Sequence, residues 1–154
     1  VIPEATDQLL DPPFPGDDDH SARAASLRSR AAVQAGDRER WVALFTDDGL
    51  VADPVGPSMF DPDGNGHVGH AAIGAFFDAA IADNSVRMDL HSSHAGLDEC
   101  ANVVTVVTTL PDGSQASVDI VAVYRVADDG RIRSMKAYWE MDDLRFTAAP
   151  SPAD

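Results

Sequence analysis

Cysteine, positive charge and long apolar runs are all scarce in this chain. Cys100 is the sole cysteine among 154 residues, so no internal disulfide can form, and a reducing, cytoplasmic setting is the expectation. No apolar stretch approaches the roughly 20 residues that a membrane span requires. The first residues carry no basic segment leading into an apolar one, so no secretory signal is expected. Lysine and arginine number 11 against 26 acidic residues, for a net charge of −15. That imbalance argues against nucleic acid and against anionic membrane surfaces, which are bound through Lys and Arg. Five of the 11 basic residues fall between Arg23 and Arg40, a run read as solvated helix faces. The partner left by this composition is small, neutral and apolar.

The length suits a single domain that buries a core without staples. Residues 1–16, "VIPEATDQLLDPPFPG", hold four prolines and no periodic pattern. They read as an extended arm, laid on the body through Leu9, Leu10 and Phe14. Asp17, Asp18 and Asp19 offer N-caps to a helix running to about Ala35. Gly36-Asp37 then recaps a second helix with Trp41, Leu44 and Phe45 on one face. A short strand, Leu50 to Asp53, stops at Pro54. In "HAAIGAFFDAAIA" the residues Ile73, Phe76, Phe77, Ala80 and Ile81 form one apolar helical stripe. Beyond it the period falls to two, giving strands near 86–91, 102–110, 115–126 and 131–140. "PDGS" and "ADDG" supply hairpin turns. Helices followed by a mostly antiparallel meander make an α+β domain, two to three helices packed on a curved sheet. The domain is placed at 17–146, with 147–154 a flexible tail.

Few motifs carry metal or nucleophile chemistry. "DPDGNG", Asp61 to Gly66, opens like a calcium loop, but its twelfth position is Ala72 rather than a bidentate Glu, and no helix enters it. It is read as a polar turn. The pairs His67/His70 and His91/His94 lack further zinc ligands, so no metal is expected, and no cofactor. No G-x-S-x-G frames a serine nucleophile. Among the acids, Asp53 and Asp119 are singled out as lying within strand-like sequence. Alternation in "ASVDIVAVYRV" puts Val118, Ile120, Ala122 and Tyr124 on one face and Asp119 on the other. Asp119 is read as a structural acid paired, for instance, with Arg133. Asp53 either caps the Pro54 turn or serves as a base at the mouth of an apolar pocket, where burial strengthens a carboxylate toward carbon-bound protons.

The segments "WVALFTDDGLVADPVG", "GHAAIGAFF" and "DGRIRSMKAYWEMDDL" resemble bacterial ketosteroid isomerases, members of the wider NTF2-like, SnoaL-like group. The resemblance covers about Ser21 to Leu144, leaving out the arm and the insertion "MFDPDGNGH". It implies an NTF2-like cone that holds a flat steroid. It also implies Asp53 as the general base that moves a proton on a β,γ-unsaturated ketosteroid. Such enzymes are a standard illustration of pKa tuning, with a Tyr and a protonated Asp forming the oxyanion hole. Here those two positions hold Ser29 and Ala122, and supporting Tyr positions appear as Phe45 and Phe77. Tyr124, one pleat from Ala122, is the local candidate for a replacement oxyanion donor, set beside a plain core or interface role, with Ser29 the weaker alternative donor. Phe45, Phe77, Val118, Ile120, Ala122, Met135, Ala137 and Trp139 are the implied substrate wall.

Two other readings stand beside the isomerase. One is a SnoaL-like polyketide cyclase or epoxide-opening enzyme. For this the chain offers Asp53, Arg87 and Asp119, which strand parity does not bring together. The other is a non-catalytic module that binds an apolar ligand. Apolar residues on both faces of "NVVTVVTTL" and "VDIVAVYRV" suggest a homodimer through the open sheet face.

Overall fold

The computed structural model describes residues 9–151. Helix α1, Ala22–Ala35, starts at Ser21, whose hydroxyl accepts the Ala24 N–H, and stops at Gly36, whose φ of 67° suits a left-handed C-cap. The cap is therefore Ser21 and not one of the three aspartates. Asp19 instead accepts the Ser21 N–H. One face of α1 presents Ala25, Ser26, Ser29, Ala32 and Val33, all buried. These small side chains let the helix lie close on the sheet.

Helix α2, Arg38–Ala43, is capped by Asp37. Trp41 is buried, with the Phe45 ring edge-on at 5.1 Å and Phe77 at 5.6 Å. Phe45 is not on that helix. It opens strand β1, Phe45–Ala52, which is longer than expected and is followed directly by Asp53. A two-residue strand β2, His67–Val68, pairs with β1. Helix α3, His70–Ala80, buries Ile73, Phe76 and Phe77, as its period required.

The meander consists of β3, Ser85–Gly96; β4, Glu99–Thr109; β5, Gln115–Val126; and β6, Ile132–Tyr138. After a short 3-10 turn at Met141–Asp143, strand β7, Arg145–Thr147, adds to the first residues of β5. Thr147, expected in a free tail, pairs with Gln115. The sheet order is β2-β1-β6-β5-β4-β3, with β7 beside β5. Only β1 and β6 run parallel among these pairs. The result is the expected α+β architecture: three helices packed on a mixed, curved, open sheet.

Inward positions of β5 are buried from Val118 through Ile120, Ala122, Tyr124 and Val126. On the outer face, Val103, Val121 and Tyr138 lie in one row across β4, β5 and β6 and remain 36, 39 and 49% exposed. Asp119 is also on that outer face, bound by Arg145 and the Thr105 hydroxyl rather than by Arg133. A bulge at Leu90/Ser92 offsets His91, whose Nε2 lies 2.7 Å from Thr105 Oγ1. Among the described residues the arm is tied to the body by the Leu10 N–H to Leu90 O bond at 2.8 Å and by the Arg28 guanidinium, which donates to the Gly16 carbonyl at 2.6 Å. Leu9, Leu10 and Phe14, the side chains expected to lie on the body, stay 53, 41 and 59% exposed. The first eight residues of the expected arm and the last three of the tail lie outside the described residues.

Candidate active site

Between the helices and the inner sheet face lies a cavity of about 430 Å³, within the range of small-molecule sites. Inward residues of β5 and β6 form its floor: Val118, Ile120, Ala122 and Met135. Helix α3 contributes Phe76 and Ala80, and α1 contributes Ser29 and Val33. The rim comes from two directions, Met59 and Phe60 of the insertion and Leu144 and Phe146 of the C-terminal segment. Phe60 is braced edge-on against Phe76 at 6.0 Å. Met59 and Phe146 are each 73% exposed, an apolar lip that a bound ligand would cover.

Asp53 is the one carboxylate lining this cavity among the described residues, and no Lys, Arg or His lines it. Strand β1 delivers it: Val51 points into the core and the next inward position is Asp53. The Asp53–Pro54 peptide is cis. Asp53 keeps some accessible surface because it faces the cavity, but its carboxyl group is walled by protein. Burial raises its pKa above the ordinary 3.8, opposed by the Trp139 indole N–H and by the nearby His67. The indole nitrogen donates to Asp53 Oδ1 at 2.7 Å. That bond fixes one carboxyl oxygen and leaves the other available.

Ser29 and Tyr124 also line the cavity and share a polar cluster. Ser29 Oγ accepts the Trp41 indole N–H at 2.9 Å and the Tyr124 hydroxyl at 3.2 Å. With both acceptor positions filled, the Ser29 proton is the free donor of the cluster. Burial pushes the Tyr124 hydroxyl up to about 12, and the negative charge of Asp53 adds to the effect. Tyr124 is thus a neutral donor across the working pH range.

The structure brings together Asp53, Tyr124 and Ser29, with Val118, Ile120, Ala122, Met135 and Trp139 around them. Phe45, Phe77 and Ala137 do not reach the cavity. The first two pack on Trp41 behind its wall, and Ala137 is fully buried in β6. Arg87 pairs with Asp89, and Asp119 faces outward, so neither joins Asp53. Trp139 is more than apolar wall, because its indole N–H serves the carboxylate. Its alternation with Met135 and Ala137 was the available signal. Asp61 Oδ2 accepts the Gly66 N–H at 2.7 Å, closing the "DPDGNG" turn on itself.

Residues 27–135 match the model of the SnoaL-like domain. The chain is 32% identical over 127 residues to a steroid delta-isomerase of Nocardioides simplex, with 82% of this chain and 96% of that protein covered. It is 29% identical over 125 residues to the epoxide hydrolase LasB of Streptomyces lasalocidi. That match takes in 78% of this chain, which spans 42% of the length of LasB. Among solved structures, the Δ5-3-ketosteroid isomerase of a Mycobacterium species superposes with a TM-score of 0.79 at 41% identity. There 82% of this chain and 98% of the other are covered.

Proposed function

The chain belongs to the SnoaL-like domain family, and we propose that within it the protein acts as a steroid delta-isomerase-like proton-transfer enzyme. The observation that carries this reading is the solitary Asp53 carboxylate in an otherwise uncharged apolar cavity. Its relatives include steroid isomerases at 32 and 41% identity, and the cavity suits a flat apolar ketone. In the proposed reaction Asp53 takes a proton from the carbon between the ketone and the double bond. The C–H electrons pass into the conjugated system and the ketone oxygen becomes a dienolate oxygen. Asp53 then returns the same proton two carbons along, giving the conjugated enone with no net change in composition. Tyr124 turns its proton from Ser29 to that oxygen as it gains charge, and the free Ser29 proton supplies the second hydrogen bond.

The test follows enone absorbance with a Δ5-3-ketosteroid. Asp53→Asn should lose about 10²–10⁴-fold in kcat, and Tyr124→Phe about 10²–10³-fold, both with steroid binding retained. A wild type as inactive as Asp53→Asn sinks the isomerase reading. The similarity to an epoxide hydrolase favours epoxide opening next, with Asp53 as the acid–base group. Turnover of an apolar epoxide by a chain inert toward ketosteroids would select it. We also propose that the protein is a homodimer joined through the outer sheet face, where Val103, Val121 and Tyr138 are exposed.

A further inference from the structure

Beyond Asp53, Ser29, Tyr124 and the two tryptophans bonded to them, two polar side chains line the cavity among the described residues, Asn84 and Thr108. Strand register places them at its mouth. Thr108 pairs with Val86 on one side and Ala116 on the other, and Ala116 pairs with Phe146 of the apolar lip. One row thus crosses β3, β4, β5 and β7. Asn84 immediately precedes β3, two residues before Val86. Tyr124 is eight residues from Ala116 along β5, roughly 26 Å of extended strand. The curl of the sheet and the reach of the Tyr124 ring shorten that span, but the two polar groups still stand at opposite ends of the cavity. Both mouth residues have hydrogen-bonding capacity to spare. Asn84 Nδ2 donates to the Ala80 carbonyl at 3.2 Å, which leaves its second N–H and its amide oxygen. On the outer face Thr109 accepts from Gln115 at 3.1 Å, whereas the Thr108 hydroxyl, on the cavity side, has no bond within the described residues.

We propose that Asn84 and Thr108 form a second polar subsite, which selects steroids carrying a carbonyl oxygen on a short side chain at the end remote from the reacting ketone. This rests on the ketosteroid reading above and narrows its substrate class. With the reacting ketone at Tyr124 and Ser29, a fused four-ring skeleton lies along Ile120 and Val118 on the cavity floor. Only a substituent on its last ring reaches the row of Thr108. There the Thr108 O–H and the second Asn84 N–H offer two donors to one carbonyl oxygen. A hydrocarbon side chain at the same place would strip both groups of water and return no hydrogen bond. Capping of α3 accounts for the Asn84 bond to Ala80, but not for an inward threonine with a free hydroxyl beside it. The two ends of the cavity therefore divide the work. Contacts at the deep end strengthen as charge develops on the reacting oxygen, while those at the mouth hold ground state and transition state alike.

The experiment compares two conjugated 3-ketosteroids that the proposed reaction does not consume, progesterone and its analogue with an ethyl group in place of the acetyl side chain. They differ at the far-end carbonyl alone. Binding is read by tryptophan fluorescence, since Trp41 and Trp139 line the cavity. Wild type should bind progesterone the more tightly. Thr108→Val, which keeps the shape of the side chain, should shift the affinity ratio about 3–10-fold toward the ethyl steroid, and adding Asn84→Leu should shift it further. A merely structural role for either residue would weaken both ligands alike and leave their ratio as it was. With the unconjugated Δ5 isomer of progesterone as substrate, Thr108→Val should raise KM by more than it lowers kcat. A wild type that prefers the ethyl steroid, or an unchanged ratio in Thr108→Val, overturns the proposal. Selective binding without turnover removes the isomerase reading and keeps the subsite, whereas turnover with an unchanged ratio removes the subsite alone.

Discussion

Asp53 is the residue at which function and stability pull in opposite directions. Burial raises its native pKa above the 3.8 of an ordinary carboxyl, whereas the unfolded chain ionises near that value. Between the two pKa values the native state holds the extra proton, so stability falls as pH rises through that window and is level above it. Asp53→Asn carries no such cost. It should therefore resist urea better than wild type at pH 7, with the advantage shrinking toward pH 4. A variant less stable than wild type throughout that range would contradict the account. The position of this acid was legible because "ADPVG" sets it after an apolar strand and before proline. Its partner was not. Trp139 lies 86 residues away, and only the parallel pairing of β1 with β6 brings its indole N–H to the carboxylate.

At the scale of elements, Ser29 is the point where α1, α2 and β5 are tied. Its hydroxyl accepts from Trp41 and from Tyr124, and all three residues are buried. Ser29→Ala would leave the Trp41 N–H without a partner, at a cost of about 1–3 kcal/mol to unfolding free energy. It would also free the Tyr124 proton, so kcat should fall less than in Tyr124→Phe. Chemical denaturation and steady-state rates on the same samples check both halves. The elements themselves were legible in proportion to their periodicity. Strands β4 to β6 and helix α3 show clean alternation or stripes, and their placement agrees to within a few residues. The β3–β4 turn is hard to read because its left-handed position is Leu97, with a φ of 54°, while the glycine stands one residue earlier. Strands β2 and β7, of two and three residues, are too short for any period and owe their existence to tertiary pairing. The pattern Trp41, Leu44, Phe45 fits a helix as well as a helix end followed by a strand. Local sequence does not separate the two.

For the whole molecule, the charge of −15 and the apolar outer face make opposing demands. The row Val103–Val121–Tyr138 spans three strands in register, which suits burial against a second copy. Around it Arg87–Asp89, Arg125–Asp98 and Arg145–Asp119 form exposed ion pairs, each worth little by itself. Two copies of so acidic a chain repel at long range, and salt screens that repulsion while leaving apolar burial intact. The proposed dimer should therefore tighten as ionic strength rises from about 0.05 to 0.3 M, opposite to an interface held by complementary charge. Val121→Asp, in the middle of the row, should yield a monomer. The cavity opens on the other face of the sheet, so this monomer should keep steroid binding. Light scattering across a salt series, paired with a steroid-binding titration, reads both effects. A wild type that stays monomeric at about 10 μM in 0.3 M salt, where repulsion is screened to within a few ångströms, would show that the outer face is not a self-association surface.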